Sequence, residues 1–134
     1  MSDMDVLSSR VLIHPRDPVR SRSFYRDVLG LAVHREFGPP DAPGTVFFLG
    51  NGLLEVSGHS EEPSGTPSTA LWLQVRDARA EYARVTALGG RGIRPPQKEF
   101  WGLVEAWIAD PDGVRIVLVE VPVDHPLRKD QREF

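Results

Sequence analysis

The chain presents one order of predicted elements twice, with the two copies about sixty residues apart. Each copy begins with a short apolar strand, continues through a helix and ends in three further strands. The helix starts after Arg16-Asp17 in one copy and Arg76-Asp77 in the other, and stops at Leu29-Gly30 or Leu88-Gly89. We therefore predict an internal duplication. The alternative is chance similarity, since capped helices that end in glycine are common.

Local signals define the elements of the first copy. Asp17-Pro18 combines an N-cap residue with proline at the first helical position, and Gly30 supplies the stop. The tight turn at Gly50-Asn51-Gly52 predicts a hairpin. The predicted strands cover residues 10–14, 32–37, 45–49 and 53–58.

The second copy follows a polar stretch rich in Ser, Pro and Gly. Asp77 caps its helix, and Asp110-Pro111-Asp112-Gly113 forms the turn between its last two strands. The predicted strands are 69–75, a short extended piece at 92–94 before Pro95-Pro96, 103–109 and 114–121. We predict a single domain, 1–134, with module one at about 8–60, a linker at about 61–68, module two at about 69–121 and an irregular C-terminal arm at 122–134.

Composition excludes several classes of partner and chemistry. The absence of cysteine excludes disulfides, thiolate metal sites and a cysteine nucleophile. With 16 basic and 19 acidic residues and no basic patch, we expect no nucleic-acid partner. The longest apolar runs have the length of a strand, so we expect no membrane partner. The acidic start of the chain lacks an apolar signal segment, so we expect a cytoplasmic protein.

Alternation along the strands sorts their side chains into two faces. One set is uniformly apolar, as in Leu71, Leu73 and Val75, and is typical of the face that packs on a helix. The other set is mixed, which is typical of a ligand site, and we expect the two open faces to share a cavity. The three tryptophans of the second copy favour a flat or aromatic ligand, although tryptophans more often fill cores or interfaces. The predicted ligand contacts are Arg10, Leu12, His14, Phe47, Glu55, Ser57, Trp72, Gln74, Trp101, Trp107, Arg115 and Val117.

Two strings of residues resemble a known superfamily. Ser23-Phe24-Tyr25-Arg26-Asp27-Val28-Leu29-Gly30-Leu31 after Arg16-Asp17, and Trp101-Gly102 followed by Asp110-Pro111-Asp112-Gly113-Val114-Arg115-Ile116, are similar to the vicinal oxygen chelate superfamily. That superfamily includes glyoxalases, extradiol dioxygenases, fosfomycin-modifying enzymes and bleomycin-resistance proteins. The resemblance, over about 10–120, implies an α+β fold of two βαβββ modules with cupped mixed sheets, and a homodimer. It specifies a fold and not a reaction.

The resemblance also implies where active members hold a divalent metal. Counting from the matching motifs places the four ligand positions at Arg10, Glu55, Ala70 and Val117. A protonated guanidinium has no lone pair to give, and the two hydrocarbon side chains have no donor atom. One carboxylate alone does not make a selective metal site. We therefore predict neither metal nor cofactor.

We expect the Arg10 guanidinium to pair with Glu55 in place of the metal cation. The pair either remains a closed internal salt bridge or opens to receive an anionic group of the ligand. A rearranged metal site at His14, Glu55 and His59 is the alternative. The favoured function is a metal-independent small-molecule-binding protein like the bleomycin-resistance members, which sequesters an antibiotic or aromatic metabolite. The first competing function is a lyase, isomerase or dioxygenase, which is either metal-dependent or metal-free. In the metal-free case His14 or Glu55 would act as the base. The second competing function is an interaction module that neither binds a small molecule nor catalyses a reaction.

Overall fold

A computed structural model describes residues 4–128, which form two compact units that divide between Ser64 and Gly65. Each unit contains one four-stranded mixed sheet and one helix, in the order strand, helix and three strands. This is the α+β arrangement of two βαβββ modules predicted from the sequence. None of the helices in the described range is long and apolar enough to cross a membrane.

The first unit builds its sheet from strands β1 (Arg10–Ile13), β2 (Val33–Phe37), β3 (Gly44–Leu49) and β4 (Gly52–Val56). The strand order is β1-β4-β3-β2, with β1 parallel to β4 and the other pairs antiparallel. Between β1 and β2 lies helix α1 (Pro18–Ser23), whose first turn is capped by the Asp17 carboxylate, 3.1 Å from the Arg20 amide nitrogen.

The predicted helix between Asp17 and Gly30 changes its winding halfway. After α1, residues Phe24–Val28 form a π-helical turn, closed by a 2.8 Å hydrogen bond from the Leu29 amide to the Phe24 carbonyl. Gly30, at φ 79°, then ends the helix in the left-handed conformation that glycine adopts freely. The turn buries both Phe24 and Tyr25, and the Tyr25 ring lies 6.2 Å from that of Phe47 on β3.

The second unit repeats the pattern with β5 (Ala70–Val75), α2 (Ala78–Ala87), β6 (Arg91–Lys98), β7 (Val104–Ala109) and β8 (Arg115–Glu120). Its strand order is β5-β8-β7-β6, with β5 parallel to β8. Two carboxylates fix the start of α2. Asp77 accepts from the Ala80 amide at 2.9 Å, and Glu120 on β8 accepts from the Ala78 amide at 3.0 Å.

Strand β6 is longer than the extended piece predicted before Pro95-Pro96, because it continues through both prolines to Lys98. The reason is its position at the edge of the sheet. Proline has no backbone N–H, so it cannot complete the hydrogen bonds that a central strand makes with neighbours on both sides. An edge strand pairs on one side only and can therefore contain proline. The pairing with β7 is irregular between Arg94 and Gln97, where the prolines lie.

The C-terminal arm is only partly irregular. Pro126–Arg128 form a short 3-10 turn, and residues 129–134 of the predicted arm lie outside the described residues. Before the turn, the His125 Nε2 atom lies 3.1 Å from the Trp101 carbonyl oxygen, and the Leu127 amide donates to His125 Nδ1 at 3.2 Å. The arm is therefore hydrogen-bonded to the loop between β6 and β7.

Candidate functional site

The first unit carries an ion pair on the sheet face that we call the Glu55 face, formed by Arg10, Leu12, Val46, Phe48, Leu53, Glu55 and Ser57. The parallel register sets Leu12 beside Glu55 and Arg10 beside Leu53, so Arg10 and Glu55 are diagonal neighbours. Arg10 Nη1 donates to Glu55 Oε1 at 2.9 Å, and Ser57 Oγ donates to Glu55 Oε2 at 2.7 Å. Both carboxylate oxygens therefore accept a hydrogen bond.

These partners keep Glu55 ionised. The hydrogen bond from the Ser57 hydroxyl is the main cause that lowers the pKa of Glu55, and partial burial opposes it. The hydrogen bond and positive charge of Arg10 lower this pKa further, and the charge of His14 adds a smaller effect. The pKa of Glu55 thus lies below its usual range, and the group is a carboxylate at neutral pH.

The residues at the superfamily's four metal positions do not fit a metal ion. In the first unit, Arg10 offers no lone pair and Glu55 is engaged by Arg10 and Ser57. In the second unit, Ala70 and Val117 offer no donor atom. A divalent cation needs several oxygen or nitrogen ligands together, and this set contains one carboxylate.

The rearranged site at His14, Glu55 and His59 is not assembled either. His14 Nδ1 lies 2.7 Å from the Ser57 carbonyl oxygen, and His59 pairs with Glu61 at 3.3 Å. Across residues 4–128, no group of three or more His, Cys, Asp or Glu side chains is placed to hold a metal ion. The alternative of a rearranged metal site is therefore contradicted in the described part of the chain.

The second unit presents an aromatic sheet face that we call the Trp72 face, formed by Trp72, Gln74, Glu105, Trp107, Val117 and Val119. Strand pairing places Trp72, Val117 and Trp107 in one row and Gln74, Val119 and Glu105 in the next. Trp72 is 49% exposed, whereas Val117 is buried with Val119 in an apolar cluster against which Trp107 packs. Trp72 is the aromatic side chain of this face most open to a ligand.

A polar network at the end of the Trp72 face was not found by sequence reasoning. Glu105 is buried, and its Oε2 accepts a 2.9 Å hydrogen bond from the indole nitrogen of Trp101, in the β6–β7 loop. Arg94 pairs with Glu99 and also donates to the Glu105 carbonyl oxygen at 3.1 Å. The signal for Glu105 was present, because period-two alternation places it two residues before Trp107 on the same face.

The structure brings together most of the predicted ligand contacts of each unit, with two exceptions. Phe47 lies on the opposite face from Glu55, opposite Leu54 in the strand pairing and buried against Tyr25, so it is a helix-packing residue. Val117 lies on the predicted face but is 3% exposed and packs as a core residue. Arg115 lies beside Ala70, one row beyond Trp72.

Comparison with known proteins identifies a matching family. The sequence profile of the glyoxalase/bleomycin resistance protein/dioxygenase superfamily matches residues 9–118. A protein from Synechocystis sp. named a probable lactoylglutathione lyase is 28% identical over 119 residues, which cover 81% of this chain and 91% of that protein.

Solved structures share the fold. A protein of unknown function from Agrobacterium tumefaciens matches with a TM-score of 0.69 and 26% identity, over 91% of this chain and 98% of its own. A member of the same superfamily from Sphaerobacter thermophilus matches with a TM-score of 0.71 and 23% identity, over 87% of this chain and 98% of its own. At this identity the second likeness concerns the fold alone.

Proposed function

The chain belongs to the glyoxalase/bleomycin resistance protein/dioxygenase superfamily, and on that premise we propose that it binds a small molecule without a metal ion. The ligand class is an antibiotic or an aromatic metabolite, which the protein sequesters. The observation that carries the proposal is the 2.9 Å ion pair between Arg10 and Glu55, at two positions where active relatives hold metal ligands.

In this proposal the Arg10 guanidinium supplies the positive charge that would otherwise come from a metal ion. A guanidinium carries several N–H donors, and Arg10 donates to Glu55 through Nη1 only. Its side chain is 37% exposed, which leaves the other N–H groups available to an oxygen of the ligand. The pair with Glu55 stays closed while this contact is made, because opening it would leave a partly buried carboxylate without its cation.

Exposed apolar side chains beside the polar groups support binding of a flat molecule. On the Glu55 face, Leu12 is 54% and Phe48 is 48% exposed, and on its own face Trp72 is 49% exposed. Apolar and aromatic surface with a few polar groups is the usual composition of a small-molecule site. His14, Ser57 and Gln74 supply further polar contacts to the ligand in this proposal.

A homodimer forms part of the proposal. Exposed apolar side chains at one sheet face favour association, because burial of such surface drives protein interfaces. Sedimentation equilibrium is expected to give about twice the mass of one chain at micromolar protein. A monomer at all concentrations would contradict this part and leave ligand binding to be judged separately.

A lyase is the second candidate, since a relative at 28% identity carries that name. That activity is tested with lactoylglutathione formation, with and without added nickel or zinc. The donor set at the four metal positions disfavours the metal-dependent form.

Two measurements test the proposal. Metal analysis of protein exposed to Ni, Zn, Mn and Fe and then desalted is expected to find well under one equivalent per chain, and chelation should leave the melting temperature unchanged.

Thermal-shift screening against planar antibiotics and metabolites is expected to find compounds that raise the melting temperature, since a ligand that binds only the native state stabilises it. Trp72→Ala should abolish these increases in melting temperature. Trp107→Ala would not serve as a control, because Trp107 packs on the apolar cluster and its loss would destabilise the fold. One tightly bound metal ion per chain would overturn the proposal.

A further inference from the structure

Glu105 is a buried carboxylate. It is 8% exposed, and its side chain accepts a 2.9 Å hydrogen bond from Trp101 Nε1. Among residues 4–128 it takes part in no ion pair. A carboxylate removed from water is destabilised unless it is paired or well supplied with donors, so this position calls for a positive partner.

The neighbours of Glu105 within the described range 4–128 do not supply that partner. Val119 lies beside it on β8, and Leu103, two residues earlier in the chain, belongs with Val119 to the buried apolar cluster. In the strand pairing Lys98 lies opposite Val104, whereas Arg94 lies opposite Trp107 and forms its ion pair with Glu99. Arg94 gives Glu105 only a bond to its backbone carbonyl oxygen, and its Nε is buried without a partner. Arg115 lies two rows away along the strands, a separation of about 13 Å.

One exposed indole contacts this carboxylate, and a second lies on the same sheet face. Trp101, which holds Glu105, is 46% exposed, and Trp72, which belongs to the neighbouring row, is 49% exposed. The Trp101 loop is itself fixed, by a 2.9 Å hydrogen bond from the Gly102 amide to the Glu99 carbonyl and by the contact of His125 with the Trp101 carbonyl. Indole faces attract cations and stack on flat rings.

We infer that Glu105 and Trp101 recognise a positively charged group on a planar aromatic ligand. The inference rests on the proposed function and names its ligand class: an aromatic cation, with the charge beside the Glu105 carboxylate and the ring against an indole. Trp101 positions the carboxylate through its N–H and offers its exposed face to the ligand. The protein would discriminate against an uncharged or anionic molecule of the same shape, because that ligand would leave Glu105 unpaired.

The alternative is that Glu105 only anchors the Trp101 loop. Glu105→Gln separates the two roles, because an amide oxygen can still accept the indole N–H but carries no charge. The matched control is Glu81→Gln. Glu81 is a carboxylate on α2 that pairs with Arg84, so its substitution changes the net charge equally at a site away from the sheet face.

The experiment measures binding of proflavine, a planar aromatic cation, by dye anisotropy at low salt, with anthracene-2-carboxylate as the flat anion. Glu105→Gln is expected to weaken proflavine binding about tenfold, which corresponds to about 1.4 kcal/mol. The same variant should leave anthracene-2-carboxylate binding unchanged or tighter. Glu81→Gln should change proflavine binding by less than about twofold, since exposed charges are screened. Trp101→Phe should weaken proflavine binding while a melting curve shows that the variant is folded.

Three results would overturn the inference: no binding of proflavine by the unaltered protein, an unchanged dissociation constant in Glu105→Gln, or equal losses in Glu105→Gln and Glu81→Gln. The proposed function fails on different evidence, namely stoichiometric metal or the absence of any thermal-shift ligand. A screen that finds only neutral or anionic ligands would therefore preserve the proposed function and refute the role of Glu105.

Discussion

Arg10 Nη1 lies 2.9 Å from Glu55 Oε1, although the two residues are 45 positions apart in the chain. The parallel pairing of β1 with β4 makes them diagonal neighbours, and Ser57 holds the second oxygen of the same carboxylate. A cation and an anion thus neutralise each other at two positions for which the family resemblance implies metal ligands.

Arg10→Met should destabilise the protein modestly, because it leaves the Glu55 carboxylate with Ser57 as its remaining donor. We expect a loss of about 1 kcal/mol in the free energy of unfolding, since both side chains are partly exposed and solvent screens the pair. Urea denaturation measures it. Arg84→Met, which breaks the exposed Arg84–Glu81 pair on α2, is the control and should lose less. An equal or smaller loss in Arg10→Met would show that the pair contributes nothing beyond a surface contact.

Ser57→Ala should raise the pKa of Glu55, because the Ser57 hydroxyl is the main cause of its lowering. A carboxyl whose folded pKa is lowered adds stability at pH values above its unfolded pKa, and this stability is lost as the pH falls through the folded pKa. The unaltered protein should therefore lose stability on acidification below about pH 4.5, and Ser57→Ala should lose less over the same range. Carboxyl NMR titration reports the pKa directly. Ser60→Ala, on the loop after β4, is the control, and an unshifted Glu55 in Ser57→Ala would refute the prediction.

Gly92→Ala should destabilise the second unit, because a Cβ at position 92 would overlap the hydroxyl of Tyr82 on α2. Overpacking of this kind typically loses about 1–3 kcal/mol. Introduced into Tyr82→Phe, which lacks the hydroxyl, Gly92→Ala should lose less. Equal losses in the two backgrounds, measured by urea denaturation, would place the strain in the backbone instead of in this contact.

Local chemistry in the sequence determined the elements. The Asp17-Pro18 and Asp77 caps, the stop at Gly30 and the repeated order of strand, helix and three strands predicted both modules, because caps and turns depend on residues only a few positions apart. The resemblance to the vicinal oxygen chelate superfamily, and not these local signals, placed Arg10 and Glu55 at two ligand positions, where they form the expected pair. The widened turn at Phe24–Val28 has no such local signal in the sequence.

Tertiary structure decided which face each strand residue takes and which strands lie at an edge. Phe47 and Phe48 are adjacent aromatic residues that lie on opposite faces of the sheet. The pairing of β3 with β4 places Phe47 against Tyr25 and places Phe48 opposite Leu53, on the face that carries Arg10. The edge position of β6 likewise permitted Pro95-Pro96 within a strand. Alternation along β7 places Glu105 on the same face as Trp107, but its burial and its Trp101 partner are known only from the tertiary structure. Register, edge position and burial come from contacts between segments distant in sequence, so a local pattern cannot contain them.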